Sequence, residues 1–395
     1  MSNRVDPTFI DELKRYGYVQ VESCFNCGNC SAVCPLSTEN ENFPRKMIRY
    51  AQLGLKDDLT KSKELWMCYY CGECTATCPR QADPGEYMAA ARRYAIASYD
   101  RLGLAKRLYT SPVFNVLFFV VISIVFGMFL YSYHGEMPLG DSLALFSFIP
   151  SEVIHNLGII AGVIIVIVAI LGMTSMAGEL MKLKAAEYPE GTRFNRLKAL
   201  WNAAVVESLG QKRYRKDCET YARDQKPWYL QRWFVHASML WGFIGLFVAT
   251  ALNYLLELVA VKPTGTWVPL WYPIRLLGII AGLLLVYGST VFIVRRLTKY
   301  DEMTTYTTPS DWSFVILLWL AGVTGFALDL AIYLPKPYAW GYWMLLIHLV
   351  VIGDLLLLAP FTKFAHAIYR VIALFFHALE SVPVKDAASQ PATGD

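Results

Sequence analysis

Six long runs of apolar residues dominate the chain after its first third. Each run has about 20 residues, which is the length that an α-helix needs to cross a hydrocarbon core, and few charges interrupt it. The runs lie at 113–133, 153–178, 234–256, 276–294, 312–334 and 341–366. The pattern predicts six transmembrane helices, and it predicts that the sixth helix runs without a break from Gly341 past His366.

The N-terminal part of the chain has a different pattern, in which polar and apolar positions mix at helical spacing. We expect helices in the segments 9–16, 45–53 and 87–108. The predicted fold class is therefore all-α. It comprises a helical soluble domain, a six-helix transmembrane domain and a polar tail, at 1–111, 112–378 and 379–395.

Composition and charge support a membrane protein with its soluble domain inside the cell. Hydrophobic residues make up 55% of the chain and charged residues 17%, and the mean hydropathy is +0.35. The segment from Lys182 to Arg232 holds twelve Lys and Arg residues, whereas the loop between the first two runs holds none. The positive-inside rule then places this segment and both termini in the cytoplasm of a prokaryote, with the chain in the cytoplasmic membrane. The net charge of +4 gives no sign of nucleic-acid binding.

Two cysteine runs in the soluble domain share the pattern C-x2-C-x2-C-x3-C-P, with Gly directly after the second Cys. This is the bacterial ferredoxin spacing, in which thiolates hold four-iron clusters. Because the fourth Cys of each run ligates the other cluster in two-cluster ferredoxins, we expect a crossed assignment. One predicted ligand set is Cys24, Cys27, Cys30 and Cys78, and the other is Cys68, Cys71, Cys74 and Cys34.

Other uses of these cysteines fit the sequence less well. A disulfide framework is typical of small secreted domains, and structural zinc usually takes separated C-x2-C pairs. Residues 1–23 are also too polar for a signal peptide. Cys218 lies outside both runs and is interpreted as an ordinary thiol. The 33 residues between Cys34 and Cys68 predict helices rather than the β-hairpins of a minimal ferredoxin.

Four histidines in or beside the apolar runs suggest electron carriers within the membrane, where polar side chains are costly. His348 and His366 are 18 residues apart, which is about five helical turns, so on one continuous helix they would share a face. Haem b with two imidazole ligands would carry single electrons to the clusters. Matching the predicted depths pairs His155 with His348 and His236 with His366, which gives two b haems.

Two further histidines and two acidic residues leave alternatives open. His134 competes with His155 as a ligand, and His377 competes with His366. Asp354 is a weak candidate for a quinone site, since quinol oxidation releases protons that a carboxylate can accept. For Asp329, near a helix end, a hydrogen bond to a neighbouring helix is the favoured role.

The long inner loop, 181–231, also contains apolar residues at helical spacing among Arg and Lys. They are Phe194, Leu197, Ala203, Val206 and Leu209. Such a pattern is typical of an amphipathic helix at the surface of an anionic membrane. A docking surface for the ferredoxin domain or for a partner subunit is the alternative.

With these residues placed, the chain resembles two known families. Residues 20–80 resemble the C subunits of heterodisulfide reductases, which have the same paired cysteine runs. Residues 112–375 are similar to cytochrome b subunits of the nitrate reductase gamma type, in which two histidines 18 apart on one late helix each bind a haem. In that type the other two ligands share one early helix, whereas His155 and His236 lie on different runs. In this order the two parts look like the membrane subunits of the quinone-interacting membrane-bound oxidoreductase complexes of sulfur bacteria.

The resemblance implies electron transfer between menaquinol and cytoplasmic flavin and iron–sulfur subunits of the heterodisulfide reductase A type. It also implies adenylylsulfate reductase as the further electron acceptor. No dinucleotide-binding G-x-G-x-x-G unit occurs here, so a flavin would belong to the partners. We expect a membrane electron-transfer subunit, whose route runs from quinol through two haems to the clusters and then to a partner. The alternative is a membrane anchor that tethers a soluble oxidoreductase without quinone chemistry of its own.

Overall fold

The computed structural model describes residues 5–38, 42–140, 143–187, 194–217, 226–300, 304–334 and 338–380. Among these residues every regular element is a helix, which confirms the all-α fold class. In chain order, helices α1 to α18 are Phe9–Lys14, Asn29–Ala32, Arg45–Gln52, Lys56–Lys61, Glu64–Met67, Glu73–Ala76, Pro84–Tyr99, Leu104–Thr110, Pro112–Tyr131, Leu145–Phe148, Ser151–Glu187, Arg196–Trp201, Lys212–Asp217, Arg232–Leu258, Pro273–Thr298, Pro309–Tyr333, Trp340–Leu357 and Ala365–Glu380. A π-helix, Asn202–Leu209, continues α12, and 3₁₀ turns lie at Val21–Ser23, Trp228–Leu230 and Ala359–Phe361.

Six of these helices are long and apolar enough to cross a membrane: α9, α11, α14, α15, α16 and α17. They correspond to the six predicted spans. Large apolar side chains stay half-exposed along α11, for example Ile160 at 55% and Val163 at 54%. Apolar surface of this extent is what a helix presents to lipid. The chain is therefore a multi-pass membrane protein.

The predicted continuous sixth helix is wrong. α17 ends at Leu357, a 3₁₀ turn follows at Ala359–Phe361, and a separate helix, α18, begins at Ala365. Pro360 explains the break, because its ring removes a backbone donor and disfavours the α conformation of the residue before it. His348 and His366 thus lie on two helices, and the argument from five turns of one helix does not hold.

The chain forms two compact units that cut across the predicted domain boundaries. The cysteine unit comprises the described parts of 1–106, 169–220 and 364–395, and the apolar unit comprises those of 107–168 and 221–363. The boundary within α11 lies at residues 168 and 169. Segments that hydropathy assigned to the membrane domain are therefore part of the cysteine unit.

The core of the cysteine unit lies between α1, α3, α4 and α7. Apolar side chains from each helix are fully buried there, including Phe9, Met47, Leu59 and Ala90. The hydroxyl of buried Tyr87 donates to the Met47 carbonyl at 2.6 Å, which satisfies a polar group that burial would otherwise leave unpaired. The segment between the two cysteine runs is helical, as predicted. This core fixes the positions of the loops that carry the cysteines.

Helix α12 and its π-helical continuation pack against α18, and α18 packs against α5, all within the cysteine unit. Ala199 and Ala203 are buried in this packing. Leu197, Leu200 and Trp201 remain exposed, so Leu197 does not share a buried face with Ala203, with which the sequence pattern grouped it. Whether its exposed face meets lipid or a partner stays a prediction.

In the apolar unit, α14 and α15 approach each other at backbone distance. A Cβ atom on Gly242 would lie 2.6 Å from the Leu285 nitrogen, and one on Gly288 would lie 2.8 Å from the Val235 carbonyl oxygen. Such close contact between small residues is how membrane helices gain packing energy where lipid is as apolar as their own side chains. Helices α16 and α17 pack alongside through Leu318, Ala321 and Val351.

Three features of the sequence lie outside the described residues. They are Cys218, the predicted turn at 335–337 and the tail from 381 onward.

Candidate iron–sulfur and haem sites

The first cysteine run has the backbone of a ligand loop. Gly28 takes a left-handed conformation, with φ of +89°, immediately before the short helix α2. Asn26 also has a positive φ, of 60°, and its N–H points at the Cys24 sulfur at 3.4 Å. The two turns place Cys24, Cys27 and Cys30 around one concave loop, and the Cys24 sulfur already accepts a backbone hydrogen bond.

The second run repeats this geometry. Gly72 has a φ of +94° before α6, Tyr70 has a φ of 58°, and the Tyr70 N–H lies 3.4 Å from the Cys68 sulfur. A side chain at either glycine would strain the left-handed backbone, because a Cβ atom is disfavoured there. The repeat seen in the sequence is therefore a repeat of backbone conformation. The two loops are also in contact, since the Asn29 side chain donates to the Thr77 carbonyl at 2.5 Å.

The structure brings the fourth cysteine of each run toward the other run. Burial raises the pKa of Cys34 to about 12, and the neighbouring sulfurs that add to the increase are Cys68 and Cys71. Burial also raises the pKa of Cys30 to about 11, with further contributions from Cys24, Cys27 and Cys78. Burial likewise raises the pKa of Cys74, and Cys68, Cys71, Cys34 and Cys30 contribute. These neighbours support the crossed assignment for Cys34 and Cys30, and the ligand sets stay a prediction.

One set lines a cavity in the cysteine unit. Its walls carry the sulfurs of Cys34, Cys68, Cys71 and Cys74, and apolar residues close it, including Pro35, Phe43, Pro44 and Met88. Apolar walls exclude water and lower the local dielectric, so a charged group held there interacts strongly with nearby charges. The other set is more open, since Cys27 and Phe25 are exposed.

The donor chemistry fits iron–sulfur clusters. The eight thiols are free of disulfides, and three of them, those of Cys24, Cys68 and Cys78, receive N–H···S bonds from Asn26, Tyr70 and Ala82. Within the described chain no three cysteine, histidine or acidic side chains converge closely enough for a single metal ion. In a four-iron cluster each thiolate binds a different iron, so its ligands stand further apart than those of one ion. When bound, such a cluster supplies one-electron chemistry.

Sequence reasoning missed the side chains that hold the backbone of the ligands. Gln52 donates from its amide to the Cys24 carbonyl at 2.9 Å. At the equivalent Cys68 carbonyl, the donors are Arg92 at 3.1 Å and Arg370 at 3.4 Å. Arg370 belongs to α18 and is 302 residues from Cys68 in sequence. No local pattern links residues so far apart.

His348 is oriented by a hydrogen bond to a residue of the neighbouring helix α16. Its Nδ1 lies 2.8 Å from the Thr324 hydroxyl, and that hydroxyl donates its own proton to the Leu320 carbonyl at 2.6 Å. The Thr324 oxygen is therefore the acceptor, Nδ1 carries the proton, and Nε2 keeps its lone pair. The ring packs against Gly325, where a Cβ atom would lie 3.3 Å from His348 Cε1. An imidazole oriented in this way can serve as a metal ligand through Nε2.

His155 and His134 have different surroundings. His155 Nε2 lies 3.9 Å from a carboxylate oxygen of Glu257, and its ring centroid lies 4.5 Å from that of Tyr254. His134 stacks on Tyr131 with centroids 4.2 Å apart, and its Nδ1 lies 2.7 Å from the Tyr131 carbonyl oxygen. These contacts are polar and aromatic partners of ordinary kind. They lend neither residue the support that His348 has.

The remaining histidines are divided between the two units. His236 lies in the first turn of α14 in the apolar unit, whereas His366 and His377 lie on α18 in the cysteine unit. His377 Nε2 is 3.1 Å from an Arg213 nitrogen. The pairing of His236 with His366 stays a prediction.

The two acidic candidates are both engaged. Asp329 is paired with Arg275 of the neighbouring helix α15, which confirms the favoured role as a partner of an adjacent helix. Asp354 is 2% exposed, and one of its oxygens accepts from the Ser123 hydroxyl. The other oxygen, Oδ1, is buried without a hydrogen-bond partner in the described structure. A buried carboxyl oxygen without a partner is costly and marks a position where a ligand or proton can be received.

The cysteine runs match known iron–sulfur proteins. Residues 20–82 match a family model described as a 4Fe-4S dicluster domain. The chain is 36% identical over 63 residues to the C subunit of the H(2):CoB-CoM heterodisulfide,ferredoxin reductase of Methanothermobacter thermautotrophicus, which is 16% of this chain and 34% of that protein. It is 38% identical over 98 residues to a protein of Archaeoglobus profundus that is described as like the C subunit of heterodisulfide reductase. This match covers 23% of this chain and 52% of that protein. The chain thus spans between about a third and a half of these relatives.

The N-terminal part is accordingly a ferredoxin domain like the C subunits of heterodisulfide reductases, with two iron–sulfur clusters. No solved structure matches the chain. Residues 141–387, more than half of the chain and five of its six apolar spans, match the family model described as citrate utilization protein B. The chain therefore belongs to the citrate utilization protein B family.

Proposed function

We propose that this chain is the membrane subunit of a quinone-linked oxidoreductase and that it exchanges electrons between menaquinol and cytoplasmic partner subunits. The observation that carries the proposal is the presence, in one polypeptide, of two four-sulfur sets and of His348 with its Thr324-oriented ring inside an apolar helix bundle. An iron–sulfur domain alone needs no membrane span. A membrane domain that exchanges electrons with such a domain needs its own one-electron carrier.

The chain's residues have distinct tasks in this proposal. The eight cysteine thiolates would hold two four-iron clusters, and His348 would hold a haem b through Nε2, with Thr324 fixing the ring. His155, His236 and His366 remain the proposed further haem ligands. Haem supplies low-reorganisation one-electron chemistry when its iron is held by two imidazoles.

Asp354 is the proposed proton acceptor near the quinone. Ser123 donates to one carboxyl oxygen and holds the side chain, which leaves Oδ1 able to accept a proton. Quinol oxidation releases two protons with its two electrons, so a carboxylate placed at the reacting hydroxyl assists the reaction. The burial of Asp354 between α9 and α17 excludes bulk water from this position.

The relatives suggest the kind of partner. The C protein of a heterodisulfide reductase is, by its name, one of several subunits of a reductase. We propose that flavin and iron–sulfur subunits of the heterodisulfide reductase A type bind this chain on the cytoplasmic side and that adenylylsulfate reductase is the further acceptor. In this proposal both termini lie in the cytoplasm and the chain sits in the cytoplasmic membrane. The partner potentials set the direction of electron flow.

The alternative is an anchor that carries clusters but no haem, and two observations favour it. His155 faces Glu257 and Tyr254, and the break after Leu357 removes the single helix that would present His348 and His366 together. A reduced-minus-oxidised optical spectrum of the purified chain separates the two functions. A b-type α-band that disappears in His348→Ala supports the quinone-linked role, and a chain with about eight cluster irons and no α-band supports the anchor.

A further inference from the structure

The internal repeat offers a matched comparison between two ligand carbonyls. The carbonyl of Cys24 accepts from Gln52, which is a neutral amide. The equivalent carbonyl of Cys68 accepts from two guanidinium groups, those of Arg92 and Arg370. The two cysteine loops thus share their backbone geometry, and their equivalent ligand carbonyls differ in the charge of the donors.

Both arginines are held in fixed positions. Arg92, on α7, also donates to the Leu65 carbonyl at 3.5 Å, and its guanidinium carbon lies 5.6 Å from the centre of the Tyr70 ring. Arg370, on α18, donates to the Met67 carbonyl at 3.5 Å and lies 4.3 Å from the centre of the Tyr69 ring. Arginine is suited to such sites because its planar group stacks on aromatic faces and stays charged.

The two charges differ in how far nearby acidic groups offset them. Tyr70, beneath Arg92, donates its hydroxyl to the carboxyl group of Glu86, which is 1% exposed. Tyr70 therefore contacts both the Glu86 carboxylate, through its hydroxyl, and the Arg92 guanidinium, through its ring. For Arg370, no carboxylate partner occurs among the residues that the structure describes. Arg370 is half-buried, so solvent screens its charge less than that of an exposed arginine.

Fixed positive charge beside a redox centre favours the reduced form, because reduction adds an electron to a group whose thiolates are already anionic. The interaction is strongest where water is excluded. Beside the first run, Arg45 is half-buried next to Gly28, whereas Arg49 and Arg80 are exposed to solvent. Their charges are screened, and they contact Gln52 and Ser23 rather than a ligand carbonyl.

We propose that Arg92 and Arg370 are positioning residues that raise the reduction potential of the cluster that Cys68 would ligate. Of the two, Arg370 contributes the charge for which the described residues include no carboxylate partner. This inference rests on the proposed function, since it requires that the sulfur sets hold clusters. It makes the potential of the second cluster depend on α18, a helix that follows the last apolar span in the chain.

The test is a redox titration of the full chain, purified in detergent with its clusters and followed by electron paramagnetic resonance. The parent is compared with Arg370→Gln, Arg92→Gln and Arg370→Lys, and with Arg49→Gln and Arg80→Gln as matched controls. Iron and acid-labile sulfide are counted first in every sample. Thermal unfolding of each variant reports whether the fold is retained.

The titration should show two waves, one for each cluster. We expect Arg370→Gln to lower the ratio of reduced to oxidised cluster, at a fixed ambient potential, by about three- to tenfold in one of these waves. A tenfold change corresponds to about 59 mV for a one-electron couple. Arg92→Gln should move the same wave by less. Arg370→Lys keeps the positive charge and should therefore leave the potential close to that of the parent. The controls should not move that wave.

Three results would overturn the inference: waves that stay unchanged in Arg370→Gln, waves that both move equally in all variants, or a shift in Arg370→Lys as large as in Arg370→Gln. A parent chain without iron and sulfide would instead refute the proposed function itself. The two failures are therefore distinguished by the iron count before any titration.

Discussion

Pairs of alanine substitutions separate the crossed ligand assignment from one in which each run holds its own cluster. In the structure, the sulfur charges that act on Cys34 come from Cys68 and Cys71, and those that act on Cys30 include Cys78. If these neighbours share a cluster, Cys34→Ala with Cys68→Ala removes two of the four ligands of one cluster. All four ligands of the other cluster, including Cys24 and Cys78, remain.

The expected magnitude follows from this grouping. The parent should hold about eight cluster irons per chain, since each four-iron cluster takes four thiolates. The Cys34→Ala, Cys68→Ala protein should hold about four irons and keep one unaltered cluster signal. The Cys24→Ala, Cys34→Ala protein should keep no unaltered signal, because each cluster has lost one ligand.

The assay is iron and sulfide analysis together with quantitative electron paramagnetic resonance after reduction. Cys218→Ala is the control for loss of a cysteine outside both runs, and it should retain about eight irons. If the Cys24→Ala, Cys34→Ala protein kept one normal cluster while the Cys34→Ala, Cys68→Ala protein kept none, each run would hold its own cluster. The crossed reasoning would then be wrong.

Three further predictions concern other parts of the molecule. Thr324→Val removes the acceptor for His348 Nδ1 and should weaken haem binding by roughly 10–100-fold in a haem titration followed by absorbance. The control Thr250→Val, which removes a similar hydroxyl bond to its own helix, should leave haem binding unchanged. Equal haem binding in both variants would contradict the role of Thr324. Gly72→Ala forces a side chain onto a backbone with φ of +94° and should destabilise the cysteine unit by about 1–2 kcal/mol in thermal unfolding. The control Gly178→Ala, on a helix with open space around it, should not destabilise the protein. An unchanged melting temperature for Gly72→Ala would show that a side chain at this position causes no strain. Hydrogen bonds from Lys56 and Thr8 hold the pKa of Asp6 well below its usual 3.8, so the stabilisation from this carboxylate is present above about pH 4 and is lost as the pH falls below it. Asp6→Asn should therefore flatten the acid dependence of the free energy of unfolding. If the acid dependence of Asp6→Asn were as steep as that of the exposed control Asp11→Asn, Asp6 would not contribute.

Much of the fold follows from local pattern. Hydropathy predicted six spans because a helix in lipid must be apolar along its whole length, and all six occur as helices, five of them near the predicted bounds. Cysteine spacing predicted the ligand loops because gaps of two residues leave few backbone paths between neighbouring thiolates. The left-handed Gly28 and Gly72 follow from the same requirement.

Other predictions failed or remained open because they depended on long-range arrangement. The apolar run predicts that the helix carrying His348 continues past His366. Pro360, within that run, ends the helical hydrogen bonding instead. Periodicity reports which side of a helix is apolar and does not report where a single proline breaks it. The hydrogen bond of His348 to Thr324, on α16, was equally invisible, since 24 residues separate the two.

The sequence by itself determined the chemistry of the protein: eight thiols with ligand spacing, an apolar length sufficient for six helices, and an imidazole at membrane depth. These properties depend on residue type and on separations of a few residues, which the chain carries directly. Tertiary structure alone decided which groups surround each site, because folding brings together residues that are hundreds of positions apart. The carbonyl of Cys68 meets a charged side chain from α18 while its counterpart at Cys24 meets a neutral amide, and that difference arises only when the chain is packed.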